Sequence, residues 1–419
     1  MRTISARTCD IAIIGGGPAG LMAALSAASR GARVFLFEQL SLPGRKLLAS
    51  GGRRCNITNT SEPSRFMAAF GRQGRFMQDA LALLGSDELR RFFAERGVHT
   101  ECKDGFHVFP TSERASDVLK ALLDESAKCG VRIISGCRVE HLVFKDGRIA
   151  GIETSDASFE TQSVILATGG LGYPELGGSE SGYKLAEAAG HKIISPVPGM
   201  VSLKTCETWL CECAGVSFDH VSVKIAIPRW RGEASEGELV FTDKGISGPA
   251  VIDISASVME LLLDREEVPL LINLRPELSR KNWLECFDKW QQESGIKRVR
   301  TMLATHIPNS VAVQLCALAG IPDERCNAVF SRKEREALAD TISALPLHVK
   351  GSGGFAKAMV TRGGVSLKEV NPATLESRLV PGLHFAGEVL DLDGPCGGYN
   401  LQWAFSSGRL AGSSCHWIS

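Results

Sequence analysis

The 419-residue sequence has no excess of charge of either sign. Lys and Arg together number 47, and Asp and Glu together also number 47, so the formal net charge is zero. A chain of this kind has no global electrostatic attraction to nucleic acid or to an anionic membrane, although a local patch can still form. The composition therefore predicts no nucleic-acid partner and no membrane partner.

The sequence also lacks an apolar leader and an uninterrupted membrane-spanning run. Residues 1–10 contain no apolar core followed by a small-residue cleavage site, the marks of a signal peptide. The stretch 11–29 is free of charged residues, but Gly15, Gly16, Gly17 and Pro18 interrupt it and would break a helix exposed to lipid. We therefore expect a cytoplasmic protein.

No cysteine pattern in the sequence matches a disulfide framework or a metal site. The 13 cysteines are odd in number and scattered along a long chain, which is typical of reduced intracellular thiols. Cys206, Cys211 and Cys213 are close together, but they lack a nearby fourth ligand and the usual zinc spacing. We therefore predict no metal.

Glycine, by contrast, is in clear excess, with 44 of 419 residues against a typical share of about 7%. Three of these glycines form the motif Gly15-x-Gly17-x-x-Gly20. The motif lies between the apolar run 9–14, a predicted strand, and the Ala-rich segment 18–30, a predicted helix. Strand, glycine turn and helix in this order are typical of a βαβ unit that binds a dinucleotide.

Each residue of this fingerprint has a physical task. Gly15 permits the tight turn, Gly17 lets the backbone approach a pyrophosphate, and Gly20 lets the helix pack against the strand. Glu38 follows at the end of the next predicted strand and can accept hydrogen bonds from a ribose. Because its carboxylate would repel a phosphate on that ribose, the fingerprint favours FAD or NAD(H) over NADPH.

Further glycine-rich motifs occur in the rest of the chain. They are Gly44-Arg45-Lys46 followed by 50–59 (Ser-Gly-Gly-Arg-Arg-Cys-Asn-Ile-Thr-Asn), Ala167-Thr168-Gly169-Gly170, and the C-terminal segments 385–391 and 397–404. Together with the fingerprint, these motifs resemble those of the bacterial YhiN/HI-type FAD-dependent oxidoreductases, a family also labelled aminoacetone oxidases or bile-acid reductase-like flavoproteins. The resemblance extends from Asp10 to about Gly412.

The resemblance implies an α/β fold with FAD as cofactor. A glutathione-reductase-type FAD-binding Rossmann domain is assembled from both ends of the chain, with an inserted, mainly antiparallel β domain and a small helical domain. In such folds a backbone group at Val139 meets the adenine, Gly387 and Glu388 approach the pyrophosphate and ribityl chain, and the helix near Asn400 stabilises negative charge on the reduced flavin. The expected cofactor-binding residues are Gly15, Gly17, Pro18, Ala19, Gly20, Glu38, Arg45, Lys46, Gly52, Asn56, Val139, Thr168, Gly169, Gly387, Glu388, Gly398, Asn400 and Leu401.

Hydrophobic periodicity predicts the same three-part organisation. Apolar residues alternate along 221–227, which indicates a half-buried strand, whereas Trp283, Phe287 and Trp290 fall on one face of a predicted helix. The predicted domains are an FAD-binding domain (1–194 and 346–419), a β-rich domain (195–275, completed by strands near 346–355) and a helical domain (276–345).

The sequence departs from the family pattern at three places. Arg53 stands where relatives usually have a third consecutive glycine, Asp243 stands where they often have His, and Glu180 and the two residues after it replace an Asp-Gly pair. FAD binding tolerates such changes because backbone groups dominate it, but catalytic roles do not transfer. Catalytic residues therefore stay unassigned. Cys55 and Asp243 are candidates, with packing and loop capping as the respective alternatives.

Two features expected of a dithiol reductase are missing. Such an enzyme would carry a Cys-x₄-Cys pair on the helix after Glu38, but this region contains Cys55 alone. It would also carry a second dinucleotide fingerprint. The segment 351–354 is rich in glycine, but no acidic or basic residue follows it at the required distance, and we interpret it as a turn.

The leading hypothesis is hydride transfer between flavin N5 and a small organic substrate held between the FAD domain and the β-rich domain. Reduction of an activated C=C bond and oxidation of an amine or alcohol are both compatible with the motifs. NAD(P)H, if it is the reductant, must bind transiently. The alternatives are a tRNA-modifying flavoprotein and a non-catalytic flavin-binding sensor.

Overall fold

The computed structural model describes residues 7–417, which fall into two compact units. Unit 1 is formed by Met1–Val197 and Met359–Ser419, and unit 2 by Pro198–Ala358. Residues 1–6 and 418–419, at the ends of the predicted FAD domain, lie outside the described residues.

The strands are β1 Arg7–Thr8, β2 Ile11–Ile14, β3 Val34–Glu38, β4 Thr58–Asn59, β5 Thr100–Glu101, β6 His107–Pro110, β7 Arg132–Ser135, β8 Val139–Lys145, β9 Arg148–Thr154, β10 Ser158–Glu160, β11 Ser163–Leu166, β12 Ile193–Gly199, β13 Leu203–Thr205, β14 Ser217–Ile225, β15 Ser235–Thr242, β16 Gly245–Ser247, β17 Val268–Asn273, β18 Leu345–Ser352, β19 Val360–Val365 and β20 Leu383–Phe385. The helices are α1 Pro18–Ala28, α2 Arg45–Ala49, α3 Pro63–Ala68, α4 Gln78–Leu83, α5 Ser86–Ala94, α6 Ala115–Lys128, α7 Ser181–Ala188, α8 Pro249–Leu261, α9 Arg280–Glu293, α10 Val299–Leu303, α11 Asn309–Leu318, α12 Arg332–Ser343 and α13 Tyr399–Ser414.

Unit 1 is built around a parallel five-stranded sheet in the order β20-β11-β2-β3-β7. Every residue of β2 and β3 is buried, because both faces of a parallel sheet are covered by other elements and the strands read as continuous apolar runs. The predicted βαβ unit is confirmed, with Ile14 beside Phe37 in the β2–β3 pair. Since β20 pairs with β11, the C-terminal segment completes the sheet begun by the N-terminal one.

A second sheet of unit 1 has the order β1-β10-β9-β8. Strands β8 and β9 are antiparallel and pair Lys145 with Arg148. Asp146 and Gly147 between them have φ of 51° and 75°, the positive values that a two-residue type I′ hairpin turn requires. Asp146 and Gly147 therefore form the hairpin turn between β8 and β9.

Helices α1 and α13 cross unit 1 in close contact, because small residues line their shared face. A Cβ at Gly408 of α13 would lie 2.2 Å from the carbonyl oxygen of Ala19, and one at Gly412 would lie 2.3 Å from that of Ala23. The helix backbones therefore touch at two points one turn apart. This contact fixes the position of α1, whose first turn belongs to the dinucleotide fingerprint.

Unit 2 contains a closed barrel with strand order β13-β16-β15-β14-β17-β18. Along β14, Val221, Val223 and Ile225 are buried and the residues between them are more exposed, which confirms the predicted alternation up to the strand end. Strand β18 closes the barrel between β17 and β13.

The helices of unit 2 share one hydrophobic core with the barrel. Trp283, Phe287 and Trp290 of α9 are buried in the same apolar cluster as the inward-facing residues of β14 and β17. The segments 195–275 and 276–345 therefore pack together, and a separate helical domain remains a prediction. Among residues 7–417, no helix combines the length and apolarity needed to cross a bilayer.

The α1–α13 contact yields a stability prediction. Gly408→Val should lower the free energy of unfolding by about 3 kcal/mol, because the new side chain meets backbone that has no rotamer with which to move aside. Ser413→Ala, at a partly exposed position of the same helix, should change it by less than about 0.5 kcal/mol. Urea unfolding measures both values. Equal midpoints for the two variants would contradict the close approach.

Candidate FAD site

The turn between β2 and α1 is held by backbone-to-backbone packing at two of its glycines. Gly15 has φ of 109°, and a Cβ on it would lie 2.4 Å from the carbonyl oxygen of Ala167. A Cβ on Gly20 would lie 1.9 Å from the carbonyl oxygen of Gly15. Neither position can hold a side chain, so both glycines are required by packing within the turn itself.

Gly17 differs from its two neighbours in the motif. A Cβ built on it meets nothing within 4 Å, so the glycine keeps open space in front of the helix rather than allowing a protein contact. Gly17 is also the N-cap of α1, with Pro18 in the first turn and no side chain that caps the helix. The N–H groups of a helix start, with the positive end of its dipole, therefore face a space from which side chains are excluded, and this arrangement suits a phosphate.

Glu38 lies buried at the end of β3. One carboxylate oxygen accepts the N–H of Gly16 at 2.8 Å, and the other accepts the N–H of Leu40 at 2.8 Å. An ionised carboxylate has about four acceptor positions, so these bonds orient the group and leave capacity for ribose hydroxyls. Val139 begins β8, an edge strand of its sheet, and edge strands present backbone groups that the sheet does not use.

Lys46 and Glu388, which are 342 residues apart, form an ion pair with an Nζ–Oε2 distance of 2.8 Å. Glu388 also accepts the backbone N–H of Thr361 at 2.8 Å. Its neighbour Gly387 has φ of 76° and donates its N–H to Ser407 of α13 at 2.9 Å. The structure thus brings together two residues that the family resemblance implicates in cofactor binding.

Thr361 is an organising residue that the sequence motifs did not indicate. Its hydroxyl accepts the N–H groups of Leu171 and Gly172 at 2.8 and 3.2 Å, so it ties the loop after Thr168 and Gly169 to Glu388. Thr361 lies in β19, outside every glycine-rich motif, and only the tertiary fold could reveal its position.

Asparagine side chains form hydrogen bonds with the turn before α13. Asn56, with its amide oxygen toward the helix start, accepts the N–H of Gly398 at 3.0 Å, and Asn59 donates to the carbonyl oxygen of Gly397 at 2.8 Å. Gly398 is the N-cap of α13, with φ of 83°. Asn400 exchanges hydrogen bonds with both backbone groups of Gly394, at 2.9 and 2.8 Å. Both Asn56 and Asn400 therefore position backbone.

The remaining expected residues are more dispersed. Ala19 is buried against Gly387 and Gly408, and Leu401 is partly buried against the core of unit 1. Gly52 has φ of 64° and open space around its Cβ position. Arg45 is exposed on α2 and lines a cleft with Arg53 and Arg114.

Neither candidate for a reactive side chain is supported. Cys55 is fully buried, and burial raises the pKa of its thiol to about 12, so it stays a protonated thiol at neutral pH and not the reactive thiolate. Asp243 is exposed in the turn between β15 and β16 in unit 2. Among residues 7–417, Cys206, Cys211 and Cys213 belong to no group that could hold a metal ion.

A histidine that sequence reasoning missed lies beside the Gly397-Gly398 turn. His107 Nδ1 is 2.6 Å from Asp104 Oδ2, and its Nε2 is 3.6 Å from the position that a Cβ on Gly397 would take. Phe106 packs edge-on against the ring of His107, with centroids 4.9 Å apart, and lies 6.3 Å from Tyr399. A partly exposed imidazole with a carboxylate partner thus lies among aromatic side chains at the start of α13.

Comparisons with known proteins identify the family of the chain. The family model described as HI0933-like protein Rossmann domain matches residues 9–414. The chain is 35% identical to the 3-dehydro-bile acid delta(4,6)-reductase of Clostridium scindens, over 96% of this chain and 98% of that protein. It is 33% identical to the ribosomal RNA dihydrouridine synthase of Escherichia coli, over 95% and 96% respectively.

Among solved structures, the chain is similar to the 3-ketosteroid-delta4-(5alpha)-dehydrogenase of Rhodococcus jostii, with a TM-score of 0.52, 17% identity, and 99% of this chain and 98% of that chain covered. It is also similar to FrdA of the E. coli quinol fumarate reductase, with a TM-score of 0.52, 16% identity, and 98% and 70% covered. At these identities the likeness shows the shared fold. Because the family model covers residues 9–414 and two relatives above 30% identity match nearly the whole chain, the chain belongs to the HI0933-like family and is an FAD-dependent oxidoreductase.

Proposed function

We propose that this enzyme reduces a carbon–carbon double bond conjugated to a carbonyl group in a small organic substrate. Saturating such a bond requires a hydride and a proton. FAD, when bound, supplies the hydride chemistry. The observation that carries the proposal is the placement of a proton source, His107 with Asp104, at the Gly397-Gly398 turn.

The names of the two full-length relatives support the same reaction. One relative is a reductase of delta(4,6) double bonds in a 3-dehydro bile acid. The other forms dihydrouridine in ribosomal RNA, which means that it saturates a ring double bond next to a carbonyl. Their substrates differ in size and charge, but the bond reduced is of one chemical type. This common feature favours C=C reduction over the oxidation of an amine or alcohol.

Both backbone N–H groups and charged side chains of this chain would bind FAD. The N-terminus of α1 at Gly17 would bind the pyrophosphate, and Glu38 would accept the ribose hydroxyls. Lys46 would be held in position by its ion pair with Glu388. The first turn of α13 offers N–H groups that stabilise negative charge.

Asp104 would fix His107 as the proton donor. The hydrogen bond from His107, together with the backbone N–H groups of Phe106 and His107, holds the pKa of the Asp104 carboxyl well below its usual range. Asp104 therefore stays ionised at neutral pH and would accept the Nδ1–H hydrogen bond of His107. The other ring nitrogen, Nε2, would deliver a proton toward the turn as a general acid.

A second candidate is the reduction of a uracil ring within RNA, and the RNA-acting relative favours it. It requires the same hydride and the same proton, so the active-site chemistry is unchanged. The difference lies in the protein surface around the active site, which must also bind the phosphates of the RNA.

The reaction is tested by anaerobic flavin reoxidation. Flavin in the purified enzyme, reduced with dithionite or NAD(P)H, should be reoxidised by a 3-oxo-Δ4,6 steroid or by a uridine-containing oligoribonucleotide. The saturated analogues should have no effect, because they contain no conjugated bond. Reoxidation of the reduced flavin by oxygen but by neither of these substrates would contradict the proposal. Bleaching of the oxidised flavin by amines or alcohols would also contradict it.

Two glycine variants separate cofactor binding from folding. Gly17→Val should give a folded protein that lacks the visible absorbance of FAD, because the side chain fills the open space in front of α1. Gly20→Val should also lower the unfolding midpoint, since its side chain meets the Gly15 carbonyl. Flavin content after gel filtration and urea unfolding distinguish the two. Retention of FAD by Gly17→Val would contradict the assignment.

The proton donor is tested with His107→Gln. This variant should keep its FAD but lose about 10²-fold in kcat for the enone. His99→Gln, at an exposed histidine just before β5, is the matched control and should keep the native kcat. An unchanged kcat for His107→Gln would exclude His107 as the proton donor.

A further inference from the structure

Unit 1 contains a cleft of about 470 Å³ whose rim carries three arginines, Arg45, Arg53 and Arg114. Leu48 and Leu176 also line it, so the cleft combines an apolar lining with a strongly positive rim. Its lining includes none of the fingerprint glycines and neither Glu38 nor Lys46. Arg45 is the one residue of this lining that the family resemblance implicates in cofactor binding.

Helix geometry explains why Arg45 belongs to this cleft. Arg45, Leu48 and Ala49 are three and four residues apart on α2, so they share one face of the helix, and all three line the cleft. Lys46 is the next residue along the chain and points to another side, where it pairs with Glu388. Arg45 and Lys46, adjacent in sequence, thus point to different sides of α2.

Arg53 lies in the cleft at a backbone position that disfavours it. Its φ is 72°, in the left-handed region where glycine is the default and other residues are strained. Arg53 is also the residue that stands where the family pattern has a third glycine. A strained non-glycine residue that replaces a glycine indicates that its side chain has a role.

Within residues 7–417, none of the three guanidinium groups forms an ion pair or a side-chain hydrogen bond. Glu113, the residue before Arg114, pairs with Lys103 at 2.7 Å. Asp117 accepts the hydroxyl of Ser116, which also lines the cleft, at 3.3 Å, so one carboxylate lies near three arginines. Like charges gathered on one cleft repel one another unless an anion joins them.

We propose that this cleft binds a phosphate group carried by a substrate or a reductant of the enzyme. The planar guanidinium fork matches phosphate oxygens in bidentate geometry, and the apolar lining suits the organic part attached to the phosphate. The phosphate can belong to an RNA backbone, to the ribose of NADPH or to a free phosphate ion. The site does not depend on which bond the enzyme reduces.

Binding to the flavin-loaded full chain tests this site without turnover. Calorimetric titration would compare inorganic phosphate, NADPH against NADH, and a uridine-containing oligoribonucleotide. The variants are Arg53→Gly, which restores the family residue and relieves the strain, and Arg114→Gln. Arg91→Gln, an exposed arginine on α5, is the control, and flavin content confirms that each variant is loaded.

At least one phosphate probe should bind the native enzyme, and each cleft variant should weaken that binding about tenfold, with the Arg91→Gln affinity unchanged. If the cleft variants lose binding of NADPH but not of NADH, the reductant carries the phosphate. If they lose binding of the oligoribonucleotide and the salt dependence of that binding becomes shallower, RNA carries it. Native affinities in both cleft variants, or an equal loss in Arg91→Gln, would overturn the proposal. Reoxidation by an uncharged enone tests the reaction separately and should be unaffected by Arg53→Gly.

Discussion

The cofactor site depends on how closely the backbone of α1 can approach its neighbours. At Gly20 a Cβ would lie 1.9 Å from the Gly15 carbonyl oxygen, and at Gly408 one would lie 2.2 Å from that of Ala19. Side chains at these points would push the helix away from β2 on one side and from α13 on the other. The attraction of a helix start for an anion falls off within a turn, so a small displacement of α1 would misdirect its N–H groups. Small residues on the packing faces therefore decide where the phosphate site lies.

Backbone groups also explain how a chain with no net charge can hold an anionic dinucleotide. Glu38 is fixed by two N–H groups rather than by a cation, and Lys46 is neutralised by Glu388. In the proposed site, oriented peptide dipoles would offer positive potential to the pyrophosphate, and such dipoles do not appear in a count of charged residues. A glycine excess together with charge neutrality is the composition that such a site produces.

The parts of this site that follow from short-range spacing could be predicted from the sequence. The fingerprint glycines and Glu38 occupy one βαβ unit, whose strand, turn and helix are each defined by local pattern. Thr361 and His107 could not be found in this way, because only the tertiary fold brings Thr361 into contact with Glu388 and places His107 beside Gly397. For the same reason the alternation in β14 indicated a strand, whereas closure of the barrel depends on β18, more than a hundred residues later.

Arg53 shows where a count of total charge is least informative. Net charge describes the protein as a whole, whereas a guanidinium acts over a few ångströms. Elsewhere in unit 1 an arginine such as Arg362 is matched by an acid, in this case Asp393 at 2.9 Å, and such pairs cancel in the total. The three arginines of the cleft form no ion pair within residues 7–417. Neutral composition therefore argues against a polyanion that covers the whole surface, while a single phosphate in that cleft is compatible with it.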